Sequence, residues 1–245
     1  MGAAVDLHAP RKVAIVASNP ATSPVTGWPI GFWWSELTHP YWELTARGYA
    51  VTVHSPDGGP LEADGWSDPR DPSGYSAEDL VTLGFVSSPE HVALVERSRP
   101  IAEIDVAATD AVLFIGGQAP MVTFRRDTRV LALAADVLES GKLLGVICHA
   151  TCLLLDARRA DGGLLVEGRT WTGFANSEED YADEFVGRRI QPFRIEDEAR
   201  KLAGTNFIVR GRFTPHAVRD GNLITGQQQY SGAPAARLIV EALGA

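Results

Sequence analysis

A cysteine and a histidine stand side by side where an apolar run breaks. Lys142-Leu143-Leu144-Gly145-Val146-Ile147 ends at Cys148-His149-Ala150-Thr151, and apolar residues resume at Cys152-Leu153-Leu154-Leu155. This pattern predicts a buried strand turning into a helix with the thiol of Cys148 at the corner. Unpaired N–H groups at such a helix start carry partial positive charge, so they favour thiolate over thiol and can hold an oxyanion. The segment leaves two readings open: a nucleophile, or a small buried apolar residue, as most free cysteines are. His149 could be its base or a core histidine. A second group lies in Gly27-Trp28-Pro29-Ile30-Gly31-Phe32-Trp33-Trp34-Ser35-Glu36, where a carboxylate sits among bulky aromatics. In an apolar setting a carboxyl has its pKa raised and can donate a hydrogen bond to a neighbouring sulfur. The other reading of Glu36 is a solvated acid stabilised by a helix start.

Such groups need a scaffold that brings strand ends together. Residues 13–17, 49–54, 111–115 and 142–147 are continuously apolar or nearly so, as parallel strands covered on both faces are. Helices are predicted around 41–47, stopped by Gly48, and over 128–140, capped by Gly141. Ser88-Pro89-Glu90 marks a helix start, with an N-cap followed by proline. Residues 61–76 show no periodicity and read as part of an excursion spanning about 56–105. Further helices are predicted from Asn176 or Ser177 to Phe185, from about Ile195 to Leu202, and from about Pro234 to the end. Strands are predicted at 207–210 and 223–225, with Asp220-Gly221-Asn222 as a turn. Alternating strands and helices predict a doubly wound α/β sheet in one domain, 1–245. Ligands bind such sheets at the carboxyl ends of strands, where Gly116-Gly117 and Cys148 fall.

With 45% apolar residues in a chain of 245, a full core can be buried. The net charge of −9 argues against a nucleic-acid partner, which requires clustered Lys and Arg. No apolar stretch is long enough to predict a membrane span, and Met1-Gly2-Ala3-Ala4-Val5-Asp6 lacks the basic start and apolar region of an export signal. Gly2 invites N-myristoylation, but Asp6 stands where Ser or Thr is wanted. The two cysteines, Cys148 and Cys152, make a disulfide framework implausible and point to a reducing compartment, the cytoplasm. His8, His39, His54, His91 and His216 show no ligand spacing, so no metal is expected. The Trp28, Trp33, Trp34 cluster is read as packing, with the option that one ring lines a pocket.

Glu36-x-x-His39-Pro40-Tyr41, Ile115-Gly116-Gly117-Gln118, Ile147-Cys148-His149-Ala150, Trp171-Thr172-Gly173-Phe174 and Leu223-Ile224-Thr225-Gly226-Gln227, in that order, resemble the DJ-1/PfpI superfamily. The likeness is greatest to its Hsp31-like, glyoxalase III branch and spans roughly residues 12–240. It implies a flavodoxin-like sandwich of the class I glutamine amidotransferase type, and a homodimer. By position it makes Cys148 the nucleophile, Glu36 its carboxyl partner and His149 the neighbouring base. An acid after Thr-Gly-Phe would orient the histidine; spacing favours Glu179, with Glu178 the near miss. Gly117 with Gly116, and a backbone N–H just after Cys148 in the turn containing Ala150, would form the oxyanion site. Two departures concern the substrate: Gln118-Ala119 replaces a common His-Gly, and Gln228-Gln229 replaces a common Asn-Pro. His216 is followed by Ala217-Val218, so the His-x-Glu of glutamine amidotransferases is missing from the C-terminal third.

The resemblance implies a cysteine-dependent, cofactor-free glyoxalase that converts methylglyoxal or glyoxal, small reactive carbonyl substrates, to a 2-hydroxy acid. Two alternatives use the same thiol: a hydrolase or hydratase of amides, peptides or isonitriles, and a stress-response holdase or redox sensor.

Overall fold

The computed structural model describes residues 10–244; the Gly2/Asp6 start and His8 lie outside the described residues. A seven-stranded sheet forms from β1 (Lys12–Val16), β2 (Ala50–Ser55), β3 (Arg99–Pro100), β4 (Ala111–Phe114), β5 (Leu143–Ile147), β6 (Ala217–Asp220) and β7 (Leu223–Gly226). Its order is β6-β7-β5-β4-β1-β2-β3. Every pairing is parallel except β6 with β7. Alternate strand residues feed two apolar cores. Val16, Phe114 and Val146 pack beneath α4 (Thr128–Glu139), while Ile15, Leu113 and Ile147 share a core with α1 (Trp34–Thr45) and α7 (Gly232–Leu243). Helices therefore cover both faces, which is why the strands carry so few polar residues. This is a flavodoxin-like fold, and its strand order reverses direction between β1 and β4, where such sheets open a crevice.

Several elements differ from the sequence reading. α1 begins at Trp34, well before Tyr41, and carries Pro40 inside it. Proline there forfeits only the bond to the Glu36 carbonyl, and burial of Trp34, Leu37 and Leu44 outweighs that loss. The excursion contains two helices, α2 (Leu80–Val86) and α3 (Pro89–Glu96), before returning to the sheet edge as β3. Ser88 caps α3 by accepting from the His91 N–H. Of residues 207–210 only Phe207 is in a strand: Asn206–Phe207 pairs in parallel with Thr170–Trp171. The hairpin partner of β7 is β6, Ala217–Asp220, an edge strand with no fully buried residue and hence no apolar signature. α6 (Ile195–Ala199) stops short of Leu202, whereas α5 (Asn176–Val186) ends at Gly187 in the left-handed conformation.

Candidate active site

β5 ends with Ile147 extended, and Cys148 then adopts φ +56°. For a residue with a Cβ this left-handed conformation costs about 1–3 kcal/mol. The chain continues as a 3-10 helix, Cys148–Leu155, rather than an α-helix, and the Thr151 hydroxyl closes the corner by donating to the Cys148 carbonyl at 2.6 Å. Backbone N–H groups of His149 and Gly117 lie close enough to the Cys148 sulfur to favour its thiolate. Gly117 has φ +107°, and a Cβ there would lie 2.5 Å from the Gly31 carbonyl oxygen, so this approach requires glycine. Of the other groups expected near an oxyanion, Gly116 uses its N–H on Glu36 and Ala150 is packed into the core.

His149 follows the corner and stacks on Phe174, ring centroids 4.0 Å apart. Its Nδ1 is 3.8 Å from Cys148 Sγ, and its Nε2 is 3.1 Å from Glu179 Oε1. Glu178, the near miss, is turned away. It accepts from the Ala175 and Phe213 N–H groups and from the Gln227 amide, tying the start of α5 to two loops. Glu36, in the first turn of α1, is fully buried rather than solvated, and its Oε2 accepts the Gly116 N–H at 2.7 Å. A Cβ on Gly116 would come within 2.9 Å of Cys148 Cβ and 3.1 Å of Glu36 Oε2, so glycine is what lets carboxyl and thiol approach. Oε1 of Glu36 has no hydrogen bond of standard geometry, and the neighbouring Cys148 thiol is the side chain that most opposes the rise in its pKa.

Asp64 completes the site, and it was missed in the sequence because the excursion around it has no periodic pattern. It is buried, accepts the Gly31 N–H at 3.0 Å and the Gln118 N–H at 2.7 Å, and so holds the two segments that flank Gly117. Its only sequence signal is an acid in a Pro- and Gly-rich loop. Cys152, by contrast, is core: it is fully buried and its thiol donates to the Pro120 carbonyl. Trp33 lines the cavity over Cys148, Trp34 packs inside, and Trp28 is partly exposed beneath the Arg188 guanidinium. His39 pairs with Asp79 at 2.8 Å; among the described residues no three His, Cys, Asp or Glu side chains are arranged so that they could hold a metal ion.

Electrostatics here differ from the expected thiolate. Burial, then the charge and hydrogen bond of Glu36, push the Cys148 thiol well above its ordinary value, and the N–H groups of His149 and Gly117 only partly offset this. Burial likewise raises Glu36 and Asp64 to about 7. For His149 burial acts downward, but Glu179, followed by Glu36 and Asp64, takes its pKa above 6.5. Burial raises the thiol and the two carboxyls, and the carboxyls in turn raise the imidazole, so the site retains protons.

Stability should follow from this. Unfolded, Glu36 and Asp64 titrate near 4.5 and 3.8, whereas folded they keep their protons to about 7. The folded state binds more protons across that window, so stability falls as pH rises through it. His149 acts in the same direction: its contribution is full below 6.5 and is lost as pH climbs through its raised folded value. Urea unfolding at about pH 8 is expected to show a lower midpoint than at about pH 5, and Asp64→Asn to narrow the gap. A midpoint that rises with pH would contradict the proton-retaining site.

The DJ-1/PfpI family profile matches residues 31–242. The chain is 26% identical over 154 residues to a Schizosaccharomyces pombe protein named "Probable glutathione-independent glyoxalase hsp3103", covering 61% of this chain and 59% of that protein. It is 24% identical over 150 residues to hsp3104 of the same organism, which bears the same description, covering 61% and 68%. Among solved structures, the Rapid Encystment Protein 24 kDa of Francisella tularensis superposes with a TM-score of 0.84 at 23% identity, covering 96% of this chain and all of that one. Glyoxalase III of Candida albicans superposes at 0.78 and 21% identity, covering 95% and 97%.

Proposed function

Because the chain belongs to the DJ-1/PfpI family, we propose that it is a glutathione-independent glyoxalase that uses Cys148 to turn a 2-oxoaldehyde into a 2-hydroxy acid. The observation that carries this reading is the run of contacts from Cys148 Sγ to His149 to Glu179, with two backbone N–H groups close to the sulfur. Names of the Schizosaccharomyces pombe relatives support it.

The sulfur adds to the aldehyde carbon as His149 takes the thiol proton, and the alkoxide so formed lies beside the N–H groups of Gly117 and His149. Returning its proton to the alkoxide leaves His149 a neutral base, which then removes the former aldehyde hydrogen. The resulting enediol is protonated on the adjacent carbon, giving a thioester of the 2-hydroxy acid. Water cleaves that thioester, releasing the acid and restoring the thiol. Oxidation of one carbon balances reduction of its neighbour, so no external electron carrier enters. Glu179 holds the imidazole, and a protonated Glu36 stabilises negative charge on sulfur during attack and release.

Purified protein given methylglyoxal in buffer free of glutathione is expected to produce lactate. No lactate above the buffer control would overturn the assignment.

A further inference from the structure

The cavity over Cys148 is narrow, about 70 Å³, but its walls are far more aromatic than a three-carbon aldehyde requires. Trp33 precedes α1, Trp66 and Tyr75 come from the excursion, Tyr181 and Phe185 from α5, and Phe213 from the loop before β6. These rings touch in sequence around the opening: Trp33 meets Tyr75 at 5.9 Å, Tyr75 meets Trp66 at 6.3 Å, and Trp66 meets Phe185 at 5.1 Å. Phe185 meets Tyr181 at 6.4 Å, and Tyr181 meets Phe213 at 5.1 Å. Segments far apart in the chain thus supply one continuous aromatic wall that ends at the reactive sulfur. Phe185 is 62% exposed, so part of this wall faces solvent instead of packing into the core. Ionisable groups lining the cavity include Asp64, Glu178, Glu179 and His149, with neither lysine nor arginine among the lining residues.

We propose that this aromatic vestibule receives the aromatic or bulky apolar substituent of an uncharged carbonyl substrate. On the glyoxalase reading, on which the reaction but not the recognition rests, an aryl-substituted 2-oxoaldehyde is the favoured substrate and methylglyoxal a slower one. A flat ring can lie face or edge against the wall while its carbonyl reaches Sγ; a methyl group leaves most of that wall in water. Substrates bearing phosphate or carboxylate find carboxyls without a cation among the lining residues, and are disfavoured.

Two readouts separate this from the reaction assignment. Cys148 is alkylated with 2-bromoacetophenone or bromoacetone, which share a leaving group, and each rate is divided by that of N-acetylcysteine. The normalised ratio is expected to favour the phenyl reagent by more than about threefold, and Trp66→Ala and Phe185→Ala each to lower the ratio. A ratio of about threefold or less, or one unchanged in both variants, overturns the proposal. Phe185→Ala alters an exposed ring, so its result does not depend on a core change. In parallel, kcat/KM is compared for phenylglyoxal to mandelate and methylglyoxal to lactate. Lactate formation without an alkylation preference leaves the glyoxalase reading intact and removes the vestibule. A preference without either hydroxy acid removes the glyoxalase reading and supports the vestibule.

Discussion

Cys148→Ala is expected to lower lactate formation by about 10⁴-fold or more, the scale on which loss of a covalent nucleophile registers, while Cys152→Ala is expected to leave most of it. The two thiols lie one helical turn apart, yet only Cys148 lines the cavity and lies close to the N–H groups of His149 and Gly117. Cys152 is sealed in the core, its own pKa pushed up by burial, with the Pro120 carbonyl as its partner. Limiting iodoacetamide followed by peptide mass spectrometry provides the check independent of turnover: Cys148 carries the label in the parent protein, slowly, because its thiol is held protonated. Preferential labelling of Cys152, or lactate formation surviving in Cys148→Ala, would remove this site from the chemistry.

His149→Ala is expected to cost about 10² to 10⁴ in kcat, since it deletes the group that carries the proton between carbons. Glu179→Gln is expected to cost about tenfold, because the amide still orients the imidazole but withdraws the negative charge beside it. Their pH profiles distinguish the two roles. In the proposed mechanism the active form has one proton fewer than thiol plus imidazolium, so kcat/KM is expected to rise with pH through a midpoint above 6.5. Glu179 is the largest influence raising His149, so Glu179→Gln moves that midpoint downward. At higher pH the rate is expected to fall as Glu36, raised to about 7, loses its proton and places a negative charge beside the sulfur. A Glu179→Gln midpoint that stays put, or His149→Ala with full activity, would show that the histidine is not the base.

Much of this protein could be read from short stretches of its chain. The apolar runs at 13–17, 111–115 and 142–147 are strands of a parallel sheet, because a strand covered on both faces has no solvent side to encode. The break at Cys148 marked the corner, and Ser88-Pro89 marked a helix start. Where the local signal was weak the reading slipped. The first helix was read around 41–47, yet α1 starts at Trp34 and carries Pro40 inside it, and the exposed edge strand β6 carried no alternation to find.

By itself, the sequence determined the sheet and the position of the thiol at its carboxyl end, and it pointed to Glu36, His149 and Glu179 but not to Asp64. Tertiary structure alone decided what that thiol experiences. Glu36, Asp64 and Glu179 come from separate segments, and their burial together with Cys148 and His149, rather than the helix start beside Cys148, sets the proton affinity of the site. The aromatic vestibule has the same origin, assembled from rings between Trp33 and Phe213 that share no local pattern. Periodicity and capping act over a few residues and are written in order along the chain. Electrostatic fields and cavity walls are sums over neighbours in space, which exist only once the fold has brought those neighbours together.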